Sequence, residues 1–321
     1  MIFMLSRELL DACTQRTSFL IKLHEIQNKK LRKFVDSKWL LPIGIVNFFG
    51  LLLKNRVINS KLKYRLAIVA IAKNEGDYLE EWLDYYKSVG VNHIYIYDND
   101  SCDNTEDICN KYPNFVTYNK IKGKKRQCDA YNDALNRYGK LCRYMAMIDC
   151  DEFIFAPPTN DNVVQKIEKN FLLDNRVGGL VINWEIFGSS NFIKKPLGKV
   201  TNNFLYRASD DFEKNKHVKT ICMPQKVIGF VNPHYAIYLP NYFAVNEENE
   251  VVKGAFTKEI HNRILRINHY FTKSKEEFMA KRKRGMADNL DIRSNDDFIE
   301  HDKNEVFDDS LKKYNIKNNL V

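Results

Sequence analysis

The sequence lacks the short motifs that identify several common classes of enzyme. No GxGxxG follows an apolar run and no GxxxxGKS/T occurs, so neither a dinucleotide-binding dehydrogenase nor a P-loop enzyme is indicated. The HExxH motif of zinc proteases is absent as well. None of the seven cysteines forms a CxxC pair and their number is odd, which supports neither a zinc ribbon nor a disulfide framework. We interpret them as reduced thiols in a cytoplasmic protein.

An excess of positive charge is missing from most of the chain, although the net charge is +9. Residues 66–321 carry 37 Lys/Arg and 37 Asp/Glu, whereas residues 1–65 carry 13 Lys/Arg and 4 Asp/Glu. A nucleic-acid-binding domain is expected to have a basic surface of its own, so no nucleic-acid partner is predicted. A neutral body with a basic leader is instead typical of a segment that targets a surface.

The leader has no apolar run long enough to cross a bilayer comfortably. Residues 39–53 (WLLPIGIVNFFGLLL) are 15 uncharged residues, whereas a transmembrane helix needs about 20, and the run begins too late for an ordinary signal peptide. Lysines and arginines precede and follow it. Residues 1–64 are therefore either a helical segment held peripherally on an anionic membrane surface, at its cytoplasmic face, or a helix pair packed on the core with solvated cations.

What the sequence does contain is enough apolar material for a large folded domain. Of its 321 residues, 44% are hydrophobic, 12% aromatic and 28% charged. In the first half, short apolar runs alternate with segments of helical periodicity, which predicts βαβ units and a mostly parallel sheet flanked by helices. The strands expected there are residues 66–72, 93–98, 115–118 and 144–148.

The second half is less regular. Strand-like runs occur at residues 179–184, 218–223 and 265–270. A helix is expected to begin at Ser274, because Glu277 stands three residues later in a capping-box pattern. We predict one main domain at residues 65–285 and a helical tail at residues 286–321.

Polar clusters follow three of the expected strands. In an open parallel sheet, ligands bind beyond the carboxyl ends of the strands, so these clusters are expected to meet at one edge. They are Lys73-Asn74-Glu75, Asp98-Asn99-Asp100 and Asp149-Cys150-Asp151.

The third cluster has the chemistry of a metal site. Asp149 and Asp151 in the turn after a strand can present both carboxylates to one Mg²⁺ or Mn²⁺, which prefers oxygen ligands and bridges to substrate phosphates. The alternative is that Asp149, Asp151 and Glu152 are ordinary turn and cap residues. The position at a strand end, with polar clusters on two other strands, favours the metal site.

Several segments resemble glycosyltransferase family 92 and related family-2-like glycosyltransferases. They are KNEGDYLEEWLDYYKSVGVNHIYIYDNDSCDNT, RQCDAYNDAL, MIDCDEFIF, NWEIFGSS and INHYFTKSKEEFMAKRKRG, in this order between residues 66 and 285. The resemblance implies a GT-A fold, a nucleotide-sugar donor, a metal-binding DxD motif and an acceptor-facing second half.

The resemblance also implies roles for individual residues. Asp149 and Asp151 match the metal-binding acids of the DxD motif, and a late histidine such as His269 completes the metal site in several GT-A enzymes. Cys150 stands between the aspartates, where an aliphatic residue is usual. The residues expected on the nucleotide and diphosphate side are Lys73, Asn74, Glu75, Asp98, Asp100, Arg126, Gln127 and Lys275, with Lys273 and residues 281–284 as further cations.

Inversion at the anomeric carbon, which the resemblance suggests, needs one general base on the acceptor hydroxyl. The sequence leaves Glu185, Asp210 or Asp211, and His234 as candidates. Trp184 and Phe187 could stack on a sugar ring or belong to the core.

The leading hypothesis is a metal-dependent glycosyltransferase that moves a sugar from a nucleotide-sugar donor, a UDP-sugar being favoured, to a glycan or lipid-linked acceptor in cell-surface polysaccharide assembly. A sugar-phosphate nucleotidyltransferase would also use strand-end acids and a metal. A non-catalytic glycan- or membrane-binding protein is the alternative from another class.

Overall fold

A ten-stranded sheet forms the centre of the computed structural model, which describes residues 6–25, 41–56, 62–157, 163–284 and 295–320. The run LAIVAIA belongs to β1, Tyr64–Ala72, whose last seven residues are buried because the sheet is covered on both faces. The other strands of the first half are β2 (His93–Asp98), β3 (Val116–Lys120), β4 (Cys142–Met147) and β5 (Glu152–Phe155).

The first four strands pair in parallel in the order β3-β2-β1-β4. The strands of the second half are β6 (Val177–Ile186), β7 (Tyr206–Arg207), β8 (Val218–Cys222), β9 (Val227–Phe230), β10 (Ala236–Tyr238), β11 (Phe243–Val245), β12 (Val251–Val252), β13 (Arg266–His269) and β14 (Val306–Phe307).

Strand β8 is antiparallel to both β4 and β6, so β6 runs in the same direction as β4. Strand β13 lies parallel to β6 and antiparallel to β5. The carboxyl ends of β1, β2, β4, β6 and β13 therefore share one edge of the sheet with the start of β8. The predicted α/β class with a mostly parallel central sheet is confirmed.

Helices cover both faces of the sheet. They are α1 (Arg7–Gln15), α2 (Ser18–Leu23), α3 (Leu41–Arg56), α4 (Gly76–Ser88), α5 (Thr105–Asn110), α6 (Gln127–Arg137), α7 (Val163–Leu173), α8 (Val200–Asn203), α9 (Lys275–Arg284), α10 (Asn295–His301) and α11 (Ser310–Lys317). Trp82 and Tyr86 of α4 pack in the larger core cluster, on one face, and Tyr131 of α6 packs in the smaller cluster on the other.

Helices α1 and α3 form a separate layer against the hairpin of β9 and β10. Cys13, Phe48 and Leu51 pack there with Ile228. The helices approach closely at Gly44, where an added Cβ would lie 2.6 Å from the carbonyl oxygen of Leu10. The predicted N-terminal helical extension is thus observed in residues 6–25 and 41–56. No helix in the described part of the chain is both long and apolar enough to cross a bilayer.

The C-terminal segment is not purely helical where it is described. Strand β14 lies between α10 and α11 and pairs with β7. Asp308, just after β14, accepts from Arg207 at 3.2 Å and from Arg266 at 2.7 Å, which ties the segment to the main domain. The boundary predicted at residue 285 lies outside the described residues, and the domain limits stay a prediction.

Candidate functional site

The two aspartates after β4 lie at the predicted edge but face different partners. Asp149 Oδ1 accepts from Gln127 Nε2 at 2.7 Å, and its Oδ2 accepts from Lys219 Nζ at 2.8 Å. Asp151 Oδ2 accepts from Lys281 Nζ. Each acid of the DxD motif is therefore countered by a lysine.

Lys219 is the cation at the centre of this site. It is 1% exposed, comes from β8, and its Nζ lies 3.7 Å from Glu152 Oε2. The same Glu152 oxygen accepts from the backbone N–H of Asp149 at 2.9 Å. Burial opposes the charged amine, but the carboxylates of Asp149 and Glu152 outweigh it and raise the pKa of Lys219 well above its ordinary value. Glu152 is thus a partner of this lysine and of the turn.

His269 ends β13, opposite Glu152 of β5. Its Nε2 lies 3.5 Å from Asp151 Oδ1. Its Nδ1 is buried and lies 4.0 Å from Glu152 Oε1, and neither atom has a hydrogen-bond partner among the residues that the structure describes. Burial alone would raise the pKa of Asp151, but Lys281 and His269 hold it well below its ordinary range.

Asp151 and His269 fit a divalent cation better than Asp149 does. Two ligands about 2.1 Å from one ion at octahedral angles lie about 3 Å apart, near the 3.5 Å between these side chains. Both oxygens of Asp149 are already engaged by Gln127 and Lys219. Asp151 and His269 are two possible ligands, and the described residues contain no cluster of three His, Cys, Asp or Glu side chains arranged to hold a metal.

The predicted nucleotide side lies at the ends of β1 and β2. Asp98 is buried and accepts from the Ser101 N–H at 2.7 Å and from Tyr118 Oη at 2.8 Å, so its carboxylate supports the turn. Asp100 is exposed beside it, with a left-handed φ of +59°. Asn74 also has positive φ and accepts from the Cys102 N–H at 2.8 Å.

Glu75 and Lys73 complete this side. Glu75 Oε2 lies 3.9 Å from Lys273 Nζ, and that amine lies 4.5 Å from the centre of the Tyr78 ring. Lys73 is half-buried in the same turn. Lys273 supplies a cation that can bind a phosphate, and Asp100 supplies an exposed carboxylate that can accept from a hydroxyl. This part of the edge therefore suits a ligand that carries both groups.

Two residues predicted for this side point elsewhere. Arg126 is fully buried and donates to the carbonyl of Ile21 at 2.8 Å, so it anchors the N-terminal helices. Lys275 is exposed on α9, and its backbone N–H donates to the Phe192 carbonyl. Lys281, further along the same helix, is the cation that reaches the acids.

A third group of residues surrounds Trp184 beside the aspartates. The Trp184 ring stacks on His217 at 4.8 Å between centroids, with 14° between planes, and lies 5.2 Å from His234 and 4.4 Å from His269. Trp184 Nε1 is buried and finds no acceptor among the described residues. We call Trp184, His217 and His234 the indole–imidazole wall.

The tautomers of two histidines of this wall are set by the backbone. His234 Nδ1 donates to the Val218 carbonyl at 3.0 Å and His217 Nδ1 to the Lys214 carbonyl at 3.2 Å. Because a carbonyl can only accept, each Nε2 carries the lone pair when the ring is neutral. Burial lowers the pKa of His217 to about 4, and burial with the Lys219 charge lowers that of His234 to about 3. Both rings are therefore neutral in the free protein at neutral pH.

The other candidate bases are less accessible or lack contact with the site. Glu185 follows Trp184 in β6 and so points to the opposite face of the strand. It is fully buried and accepts from Arg207, Asn215 and Asn262. Asp211 is exposed and accepts from Ser209 Oγ at 2.6 Å. Asp210 is exposed as well and pairs with Arg207 at 2.7 Å.

Comparison with known proteins identifies the family. A model of glycosyltransferase family 92 matches residues 69–301. This chain belongs to glycosyltransferase family 92. It is 26% identical over 210 residues to a family 92 protein of Oryza sativa subsp. japonica, covering 64% of this chain and 33% of the rice protein. It is 26% identical over 227 residues to a family 92 protein of Ricinus communis, covering 70% and 38% of the two chains.

The chain therefore spans about a third of the length of the curated relatives that it matches. Among solved structures, S. aureus TarS aligns with a TM-score of 0.34 at 14% identity, covering 50% of this chain and 47% of that one. Glucosyl-3-phosphoglycerate synthase from Mycobacterium tuberculosis, in complex with Mn²⁺, UDP-glucose and phosphoglyceric acid, aligns with a TM-score of 0.26 at 16% identity, covering 41% and 46%. The family membership rests on the sequence match over residues 69–301.

Proposed function

We propose that this chain is a metal-dependent glycosyltransferase that moves a sugar from a nucleotide-sugar donor to a glycan or lipid-linked acceptor with inversion, in cell-surface polysaccharide assembly. UDP-sugars are the favoured donors. The observation that supports this most is the meeting of Asp149, Asp151, Lys219 and His269 at the carboxyl edge of the sheet, within the region that matches family 92. None of the seven cysteines, all of which lie in the described part of the chain, forms a disulfide, which fits the proposed cytoplasmic location.

The donor would lie between the β1 and β2 turns and the DxD turn. Asp100 can accept from ribose hydroxyls, and Lys273 and Lys281 can neutralise the diphosphate. A Mn²⁺ or Mg²⁺ ion held by Asp151 and His269 would stabilise the charge that develops on the leaving diphosphate. Lys219 holds the Asp149 carboxylate in place, since it is buried and bonded to it at 2.8 Å.

The acceptor would bind against the indole–imidazole wall. Trp184 is buried and its ring is covered by His217, so it supports this wall from behind. His234 Nε2 can take the proton of the attacking hydroxyl, because Nδ1 is already committed to the Val218 carbonyl. A bound nucleoside diphosphate adds negative charge near Lys219, which favours the protonated imidazole and raises the pKa of His234 from its low value. A single displacement with one base leads to inversion.

Release of the nucleoside diphosphate tests the proposal. The purified chain is incubated with a panel of UDP-, GDP- and dTDP-sugars and Mn²⁺, with and without a set of oligosaccharide acceptors. We expect turnover with at least one donor, its loss in EDTA, and recovery with added Mn²⁺ or Mg²⁺. Asp151→Asn should lower turnover by about 10²-fold or more, while Asp174→Asn, at a partly exposed position where the acid pairs with Arg176, serves as the matched control. Metal-independent turnover that survives in Asp151→Asn would refute the metal assignment.

The same assay separates the alternatives. A nucleotidyltransferase would release pyrophosphate from a nucleoside triphosphate and a sugar phosphate, not a nucleoside diphosphate from a sugar nucleotide. A non-catalytic protein would bind the nucleotide, measured by calorimetry, without turning over any donor.

A further inference from the structure

Helix α3 has one apolar face without a partner in the described part of the chain. Its Phe48 and Leu51 side chains pack on α1 and on the β9–β10 hairpin. On the other side, Val46 is 74% exposed, Phe49 57% and Leu53 66%. The spacing of three and four residues places these side chains on one face of the helix. Such a contiguous exposed apolar face marks a docking surface.

The charge of the surrounding sequence indicates what this face binds. The first 65 residues carry the whole net charge of +9, and Lys54 and Arg56 follow the apolar run directly. Exposed cations also lie on α1 and α2, at Arg7 and Lys22. An exposed apolar helix face within a basic segment of the chain fits the boundary between the headgroups and acyl chains of an anionic membrane.

The length of α3 fixes how it would bind. Its 16 residues span about 24 Å at a rise of 1.5 Å per residue, which is less than the roughly 30 Å of a hydrocarbon core. With its other face packed on the domain, the helix can lie in the plane of the interface but cannot insert along the membrane normal.

Helix α1, on which α3 packs, contacts the loop that carries His234 on the acceptor side of the candidate site. Glu8 of α1 accepts from Tyr235 Oη at 2.8 Å, and Tyr235 is the neighbour of His234. Arg16, just after α1, donates to the carbonyls of Val227 and Ile228 in β9 at 2.8 Å. The loop that carries His234 is therefore packed as one unit with the helices that present the apolar face.

From these contacts we infer that the exposed face of α3, formed by Val46, Phe49 and Leu53, docks the chain on an anionic lipid surface. The packed unit then holds the His234 loop close to that surface, which favours a lipid-linked acceptor. This last step rests on the proposed function, whereas the docking itself does not.

Vesicle co-sedimentation of the full chain tests the docking without any donor or acceptor. We expect binding to vesicles of phosphatidylcholine with 30% phosphatidylglycerol, weaker binding in 0.5 M NaCl because salt screens exposed charges, and little binding to pure phosphatidylcholine. The double variant Val46→Asp, Phe49→Asp should lower the partition coefficient by roughly tenfold or more. The matched control is Leu197→Asp, since Leu197 is 96% exposed and belongs to the loop between β6 and α8.

Folding of the variants is checked by thermal unfolding, and the neutral pair Val46→Asn, Phe49→Asn removes the apolar groups without adding charge. Unchanged binding by both pairs, or an equal loss in Leu197→Asp, would overturn the inference. Equal binding to pure phosphatidylcholine would overturn the requirement for anionic lipid.

Fluorescence quenching tests the position of the His234 loop. In a Cys102→Ser background, Pro233→Cys carries an environment-sensitive dye, and Leu173→Cys on α7 carries the same dye as control. Lipids with a spin label near the headgroup should quench the first dye at least twofold more than the second. Equal quenching would refute the position of the His234 loop close to the membrane. The docking of α3 and the proposed sugar transfer are tested separately, by the vesicle assay and by the turnover assay.

Discussion

Replacing Glu185 by Gln isolates the energetic effect of one buried carboxyl. Glu185 is 0% exposed, and its oxygens accept from Arg207 at 3.2 Å, Asn215 at 3.1 Å and Asn262 at 2.8 Å. Burial raises the pKa of this carboxyl to about 7, although Arg207, Arg266 and the Asn262 amide partly offset the effect of burial. Gln keeps the shape of the side chain and cannot ionise.

The sign and size of the effect follow from proton linkage. Between an ordinary Glu pKa near 4.5 and the folded value of about 7, the folded state binds more protons than the unfolded state. The free energy of unfolding therefore falls as the pH rises through this window. A difference of about 2.5 pKa units corresponds to about 3 kcal/mol at 1.36 kcal/mol per unit. The contribution is fully present below pH 4.5 and lost above pH 7.

Urea unfolding of the wild type and of Glu185→Gln at several values between pH 5 and pH 8 measures this difference. The free energy of unfolding of the variant minus that of the wild type should rise by roughly 2–3 kcal/mol from pH 5 to pH 8. The lost ion pair with Arg207 adds an offset to this difference that does not change with pH. A difference that does not change with pH would refute the argument from burial.

The same variant tests the choice of base. Because Glu185 points away from Trp184 and both its oxygens have partners, donor turnover should stay within about twofold, as with the exposed control Asp211→Asn. A loss of about 10²-fold or more in a stably folded Glu185→Gln protein would make Glu185 the base and remove the case for His234.

Three further substitutions have defined outcomes. Lys219→Met should lower the free energy of unfolding by about 3–5 kcal/mol, measured with urea, because it leaves Asp149 and the fully buried Glu152 without their cation. Lys226→Met, whose amine bonds the backbone carbonyls of Asn175 and Val177, should cost less, and equal costs would contradict the ion-pair argument. His234→Gln should lower transfer by about 10²–10⁴-fold with unchanged nucleotide affinity by calorimetry, and a joint loss of both would indicate a structural role. Gly188→Ala should cost at least about 1–3 kcal/mol in the same unfolding assay, because its Cβ would lie 2.2 Å from a backbone carbonyl oxygen. In the control Gly50→Ala, the new methyl group has open space around it. Its free energy of unfolding should rise by about 0.5–1 kcal/mol, because Ala is favoured over Gly inside helix α3.

The first half of the fold could be predicted because its strands and helices depend on local patterns. The run HIYIYD is β2, His93–Asp98, and the apolar periodicity after Asp77 belongs to α4. The capping box at Ser274 forms as expected: the Ser274 N–H donates to Glu277 Oε2 at 3.1 Å, and the Glu277 N–H donates to Ser274 Oγ at 3.3 Å. Buried parallel strands and amphipathic helices have distinct periods, which a single sequence displays.

Local patterns failed where the partner comes from elsewhere in the chain. Asp77 and Glu80 have the spacing of a capping box, but they do not begin α4. The helix starts at Gly76, and the Gly76 N–H donates to Asp103 in the turn after β2. The apolar residues 153–155 stand directly after the acids of the third cluster. They form β5, whose pairing with β13 depends on a strand more than a hundred residues later.

The candidate site shows the same limit in its charges. The acids were visible because they follow a strand, but Lys219 stands 70 residues after Asp149, and Lys281 stands 130 residues after Asp151. The sequence offered one usable signal for Lys219, a charged residue inside an apolar strand, since such a residue is rarely buried unless it is paired. Among the C-terminal cations the sequence favoured Lys275, the first residue of α9. In the structure Lys281 faces the site and Lys275 faces solvent. Which residue of a helix faces a site depends on how the helix packs, and the sequence does not display this.

This pairing of acids with lysines bears on how the site would respond to its ligands. Lys219 is buried and bonded to Asp149, so its charge is fixed in the site. Lys281 lies at the surface of the site and is the cation that can move, because its amine ends a flexible side chain and is partly exposed. A bound diphosphate would compete with Asp151 for Lys281. Once the lysine turns to the phosphates, the Asp151 carboxylate is left to a divalent cation beside His269. Donor and metal would therefore each favour the binding of the other, and Asp149, held by Lys219, would keep its position throughout.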